Sequence, residues 1–190
     1  VAGLVPTAGS SSVNEGATLP LGVAWCLDDA TLLPMAPSLA AWSVVSGPVG
    51  GIDANGVLTA GSVGEDTPAT VRASYRGFTG TLSLTVADAE PDNFGSYAAD
   101  GLPDEWQIEH FGHDNPDAAP QKDVSGTGQT NFFKYVAGLN PTDHTSVFRV
   151  AVQPVSGQPG RKQIVFGPVL PDRTYTVVFK SSLTDGAWTP

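Results

Sequence analysis

The chain has 190 residues, of which 41 % are hydrophobic, with 22 glycines and 16 prolines; it can bury a core, and its turn formers favour short strands. Its net charge of −10 would repel nucleic acid and anionic membranes, so neither is an expected partner. No apolar run approaches the roughly 18–20 residues of a membrane span, and the single cysteine cannot form an intrachain disulfide. That residue, Cys26, lies in the apolar run 21–27 and reads as a small buried hydrophobe. No signal peptide is visible, and the chain, which opens at Val1, reads as a mature piece cut from a longer polypeptide.

Residues 1–88 show short strands between turn signals and no helical period. The segment Trp42-Ser-Val-Val45 reads as a strand with Trp42 and Val44 inward. Asn55-Gly56 marks a turn, because this pair tolerates positive φ, and Val57-Leu58-Thr59 follows as a strand. Thr70–Tyr75 alternates, with Val71, Ala73 and Tyr75 on one face and Arg72 and Ser74 on the other. After a turn at Arg76–Gly80, Thr81–Val86 alternates again, with Leu82, Leu84 and Val86 inward. Strands at this spacing predict an antiparallel sandwich.

The stretches Ala41–Gly47, Ile52–Gly61, Ala69–Tyr75 and Gly80–Val86, in this order, resemble a bacterial immunoglobulin-like domain of group 2, the intimin- and invasin-associated kind. The resemblance implies a disulfide-free sandwich that spaces or presents other domains at bacterial surfaces and carries no catalytic residues. Asp28–Pro37 departs from that pattern and reads as an inserted loop, with Asp28 and Asp29 in an ordinary solvated turn.

Residues 89–146 hold ten of the nineteen acidic residues and only two of the nine basic ones. Ala87–Asn93 is polar and proline-bearing, a linker. Two loop–helix units follow, Asp100–Gly112 and Asp123–Gly138. The first helix has Pro103 at its start and Gly112 at its end, with Leu102, Trp106, Ile108 and Phe111 near helical spacing. The second starts after Thr130 or Asn131, takes its apolar face from Phe132, Phe133, Tyr135, Val136 and Leu139, and stops at Gly138 before Pro141. The two helices are expected to pack their aromatic faces together.

An EF-hand-type calcium loop offers oxygens at positions 1, 3, 5, 7 and 9, a glycine at 6 and a bidentate acid at 12. Asp123, Ser125, Thr127, the Gln129 carbonyl and Asn131 fall at the five oxygen positions, and Gly128 falls at the sixth. The twelfth is Lys134, the wrong charge. In the first unit Asp100, Gly101 and Asp104 take the fifth, sixth and ninth places, but Ser96 and Ala98 stand at the first and third and Gln107 at the twelfth.

The phrases Asp100-Gly-Leu-Pro-Asp-Glu-Trp106 and Gly128–Asp143 resemble the thrombospondin type 3 and dockerin-like loop–helix segments of large secreted bacterial proteins. That resemblance implies calcium-dependent folding without catalysis. Here the carboxylates are thinned, and two readings stay open. In one, calcium is held by Asp123, Ser125, Thr127, Gln129 and Asn131, with Asp100 and Asp104 supplying the other loop and Asp114 or Asp117 assisting. In the other, which the thinning favours, two vestigial loops are held by side-chain hydrogen bonds and helix caps. A zinc site at His110 and His113 is disfavoured, because Gly112 interrupts the helix between them and neither Cys nor a metalloprotease Glu accompanies them. His144 reads as a surface loop residue.

Residues 147–190 alternate over Val147–Val152, with further strands expected at Lys162–Phe166 and Thr174–Phe179. Three strands are too few for an independent core, so this segment reads as a partial, truncated β-sandwich. The expected fold is therefore mainly β: an Ig-like sandwich over 1–88, an EF-hand-like loop–helix pair over 89–146 and a partial β segment over 147–190.

The sequence shows no phosphate loop, nucleophile elbow or metalloprotease helix. The expected function is a non-catalytic structural or presentation module, extracellular or at the cell surface. Its expected partners are the flanking domains of the parent chain, and after them another surface protein or a polysaccharide. The alternative is a binding module, by dockerin-like docking to a cohesin-type partner or by carbohydrate binding. The four tryptophans, Trp25, Trp42, Trp106 and Trp188, are scattered rather than in a row and read mostly as core.

Overall fold

The computed structural model describes residues 1–178, 180, 182, 184 and 186–189. The chain is mainly β, as expected, and it divides into two compact units, Val1–Ala118 and Ala119–Pro190. The first loop–helix unit belongs to the former and the second to the latter.

The first unit is a sandwich of two sheets. One joins β1 (Gly3–Ala8), β3 (Thr18–Cys26), β7 (Val57–Ala60) and β6 (Val49–Ile52) in that order, with β4 (Leu32–Met35) also paired to β3. The other runs β2 (Ser12–Asn14), β9 (Phe78–Ala87), β8 (Thr67–Tyr75) and β5 (Ala41–Ser46). All pairings are antiparallel except β2 on β9. The core lies between the sheets: Leu21, Leu58 and Ala60 from one meet Val13, Val71, Leu84 and Val86 from the other. Each leucine and valine among them contributes about 1.5–3 kcal/mol by leaving water. Leu4, Val23, Ala40 and Ala73 extend the core beside Trp25 and Trp42.

The alternation expected for β8 and β9 holds: Val71 and Ala73, and Leu84 and Val86, are buried. Trp42 and Val44 lie opposite the buried Ala73 and Val71 and so share their inward face, but Val44 stays 40 % exposed on the edge strand, where the register shifts between Val44 and Ser46. Asp28–Pro37 is not a plain insertion either, because β4 pairs with β3 from Val23 to Cys26; the turn before it is closed by Asp29, whose Oδ1 accepts from Thr31 N. Cys26 ends β3 only half-buried. The Asn55-Gly56 turn is present, with positive φ at Gly56 alone, and Asp53 Oδ1 accepts from the N–H groups of Asn55 and Val57. Gly80 is required by contact, since a Cβ there would collide with the Leu4 carbonyl of β1.

After β9 the chain is tied back to the sandwich by Glu15. Its carboxylate accepts from Val63 N, Ala89 N and Glu90 N. Helix α1 (Asp104–Phe111) follows. Tyr97 OH donates to the Gly112 carbonyl at its end and accepts from Asn115 N.

The second unit opens on loop 119–130 and helix α2 (Asn131–Ala137), capped at its start by Thr130 Oγ1, which accepts from Phe133 N. Arg173 Nε donates to the Val136 carbonyl near its end. A hairpin of β10 (Arg149–Pro154) and β11 (Lys162–Gly167) follows. Residues 174–178 form no strand, contrary to expectation, and Phe179 lies outside the described residues. Instead Tyr175 stacks on Phe148 at 5.8 Å between ring centroids and sits beside Phe166. Ring packing there takes the place of a third strand's ladder.

Candidate functional site

The loop of the second unit is organised around the Asp123 carboxylate. Its Oδ1 accepts from Thr127 N at 3.1 Å and from the hydroxyls of Ser125 and Thr127, both at 3.3 Å. Its Oδ2 accepts from Gly128 N. These bonds hold the Asp123 carboxyl below the usual carboxylate range, the Thr127 backbone N–H foremost. The carboxylate thus closes the turn on itself, as Asp does in Asx-type loops.

The twelfth residue of the frame turns back into the loop. Lys134 is fully buried. Its Nζ donates to Ser125 Oγ at 2.6 Å, to the Asp143 carbonyl at 3.2 Å and to the Asn140 carbonyl at 3.3 Å. An ammonium has three donors, and all three have acceptors. Burial pushes the Lys134 ammonium below the ordinary lysine value, against the opposing charges of Asp123 and Asp143. The ninth residue, Asn131, is buried as well, and its Nδ2 donates to the Ala119 carbonyl. Gln129 contributes through its side chain: the amide donates to the Phe148 carbonyl at 2.6 Å and accepts from Phe148 N at 3.1 Å, like a peptide unit in a ladder.

The first loop repeats this plan with other residues. Asp92 accepts from Asp100 N and Gly101 N. Asp100 Oδ1 accepts from Leu102 N, and its Oδ2 accepts from Gln107 Nε2 at 2.9 Å. Gln107 Nε2 also donates to the Ala118 carbonyl at 3.1 Å. Two acceptors around one amide nitrogen fix its orientation, since the flipped amide would set oxygen against oxygen. Asp104 Oδ2 accepts from Asn93 N and Phe94 N. Asp104 and Gln107 are fully buried, and Asp104 Oδ1 and Gln107 Oε1 have no hydrogen-bond partner among the described residues. Burial raises the Asp104 carboxyl above the usual range, with the charges of Asp92 and Asp100 adding to it and the two backbone N–H groups opposing.

No family model matches the chain, and no curated protein matches it.

Of the expected ligands, the side chains of Asp100, Asp104, Asp123, Ser125, Thr127, Gln129 and Asn131 are engaged in hydrogen bonds within the protein. Calcium takes six to eight oxygens. In the second loop the oxygens of Asp123, Ser125 and Thr127 already bond one another or backbone, and an ammonium rests on Ser125, so this donor set does not fit a divalent cation. In the first loop, Asp104 Oδ1 and Gln107 Oε1 are the open oxygens, but Gln107 directs its nitrogen at Asp100. Among the described residues no three His, Cys, Asp or Glu side chains converge on a point. Asp114 Oδ1 accepts from Ser96 Oγ. His110 packs its ring on Trp106 at 4.9 Å, and His113 lies edge-on to Phe94 at 6.0 Å.

The helices correct one expectation sharply. Of the apolar residues assigned to α2, Phe132 at 48 %, Phe133 at 41 % and Val136 at 55 % are exposed, whereas Tyr135 is half-buried and Leu139 is buried. What α2 buries is Asn131 and Lys134, one turn apart; α1 buries Asp104 and Gln107 at the same spacing. Sequence reasoning missed Lys134 and Gln107 because it scored them as failed ligands. It also missed Asp92, and an acidic cleft lined by Glu65, Asp66, Asp88 and Glu105 in the first unit. There the Asp88 carboxyl is raised by burial and then by the charge of Glu15.

Proposed function

We propose that this chain is a non-catalytic structural or presentation module of a larger bacterial surface or secreted protein, working outside the cell. Residues 1–88 act as an Ig-like spacer sandwich. The loop–helix units are thrombospondin type 3 or dockerin-like in plan and are held by their own side chains rather than by calcium. The observation that carries this reading is the use made of the chemically capable groups: Asp92, Asp100, Asp123, Gln107 and Lys134 all bond loop backbone or one another. Groups so engaged stabilise loops and present little to a substrate.

The binding-module alternative draws on one observation in the second unit. Phe148, Val150, Ile164, Phe166 and Tyr175 line an open groove on the hairpin, an aromatic and apolar wall of the sort on which sugar rings pack.

Both are tested by offering the full chain to insoluble cellulose, chitin and xylan, and to a cohesin-type module, in calcium and in EDTA. A presentation module stays in the supernatant in every case and resists trypsin equally in both buffers. Retention on one polymer that Tyr175→Ala abolishes, or calcium-dependent capture by the cohesin, would overturn the proposal in favour of binding.

A further inference from the structure

The twelfth place of an EF-type loop is where a bidentate acid completes the shell around the ion. In the second loop that place belongs to Lys134, and its side chain neither points to solvent nor avoids the loop. It is fully buried, and its ammonium reaches the third-position oxygen, Ser125 Oγ, at 2.6 Å. The same ammonium holds the Asn140 and Asp143 carbonyls. It therefore joins the loop to the turn that follows α2, a link a bound ion would otherwise make through its ligands.

We propose that Lys134 is the resident cation of this loop: its ammonium stands in for a divalent ion, so the loop closes without metal and is barred to one. This deepens the metal-free part of the reading above and does not depend on whether the chain presents or binds.

Three features support it. Donors and acceptors balance: the three ammonium N–H groups have three oxygens, and no donor is left over to favour another arrangement. The ammonium's charge is offset as well, because a buried ammonium is costly alone and the fields of the Asp123 and Asp143 carboxylates oppose that cost. Finally, the first loop shows the neutral version of the same device. Its twelfth residue, Gln107, also turns inward and donates N–H, to the fifth-position carboxylate of Asp100. Twice, a nitrogen donor occupies the place where a calcium loop has a carboxylate. A dication entering the second loop would meet a like charge in van der Waals range of the ligand oxygens, which makes Lys134 a determinant of what the loop excludes.

The test is amide hydrogen exchange, read by mass spectrometry, on peptides covering 123–131 and 139–146 in the full chain. Wild type is expected to show the same protection in millimolar calcium and in EDTA. Lys134→Met, which keeps the length and removes the charge, is expected to exchange roughly tenfold or more faster in both buffers, the loss of hydrogen bonds to a charged group. Lys134→Glu is expected to exchange fast in EDTA and to be slowed again by calcium. A parallel measurement needs no variant: under native reductive methylation, exposed Lys122 reacts while Lys134 stays unmodified. Wild-type protection that rises with calcium, Lys134→Met exchange equal to wild type, Lys134→Glu protection in EDTA equal to wild type, or methylation of Lys134 at the rate of Lys122 would each overturn the proposal. Its failure would leave the polysaccharide and cohesin experiment untouched, and the reverse holds.

Discussion

The two loop–helix units bury the same two places of the same twelve-residue frame and differ in what stands there: Asp104 and Gln107 in the first, Asn131 and Lys134 in the second. In the first, the buried pair is an acid and an amide, and it leaves Asp104 Oδ1 and Gln107 Oε1 without partners among the described residues. In the second, the ammonium has an acceptor for every donor. The seventh place differs too. Leu102 is fully buried and anchors the first loop by packing, whereas Gln129 clamps the backbone of Phe148. One loop plan can thus be stabilised by an apolar anchor with a neutral donor, or by an internal charge with a side-chain clamp. What the frame conserves is the inward direction of its ninth and twelfth residues, not their chemistry.

Substitutions sharpen this contrast. The largest effect is expected at the apolar anchor: Leu102→Ala should destabilise the chain by about 2–5 kcal/mol through lost burial and a cavity, measured by urea unfolding. Gln107→Ala comes next, at about 1.5–3 kcal/mol, because it strips a donor from the charged Asp100 and leaves the Ala118 carbonyl bare. Capping gives a smaller difference. Thr130→Ala should cost about 1 kcal/mol, while α1, whose N-cap residue is Pro103 without a side-chain cap bond, has no counterpart to lose. An equal loss on replacing Pro103 by alanine would break the contrast.

Charge gives the subtlest difference, and its sign is opposite in the two loops. Asp104 is raised, so its contribution is fully present below the ordinary aspartate value of about 3.9 and is lost as pH rises through its raised folded value. Asp123 is lowered, so its contribution is present above about 3.9 and is lost as pH falls through its lowered folded value. Asp104→Asn should therefore flatten a loss seen on raising pH, and Asp123→Asn should flatten a loss seen on acidification. Carboxyl NMR titration of both residues checks the directions, and like signs would contradict the account.

Much of the sandwich was legible because β8 and β9 alternate with period two, and because Gly56 and the Arg76-Gly77 pair supply the positive φ that turns need. Strands β1 and β3 were not, since Pro6, Pro20, Gly3 and Gly22 dilute their pattern. In the loops, spacing marked the ninth and twelfth places, and residue type left the cap of α2 between Thr130 and Asn131, of which Thr130 is the one used. The role of Lys134 was not legible, because two of its three acceptors are backbone carbonyls of Asn140 and Asp143, which every residue possesses and no sequence pattern marks. The apolar period of α2 misled for a related reason: Phe132, Phe133 and Val136 satisfy helical spacing, but the loop claims the opposite face for Asn131 and Lys134.

The central claim is that these loops are closed by their own nitrogen donors and not by a metal. Calorimetric titration of the full chain with calcium, paired with thermal melts in millimolar calcium and in EDTA, tests it most directly. The account predicts no saturable heat and coincident melting curves. A saturable heat with a raised melting temperature, both abolished by Asp123→Ala, would contradict it.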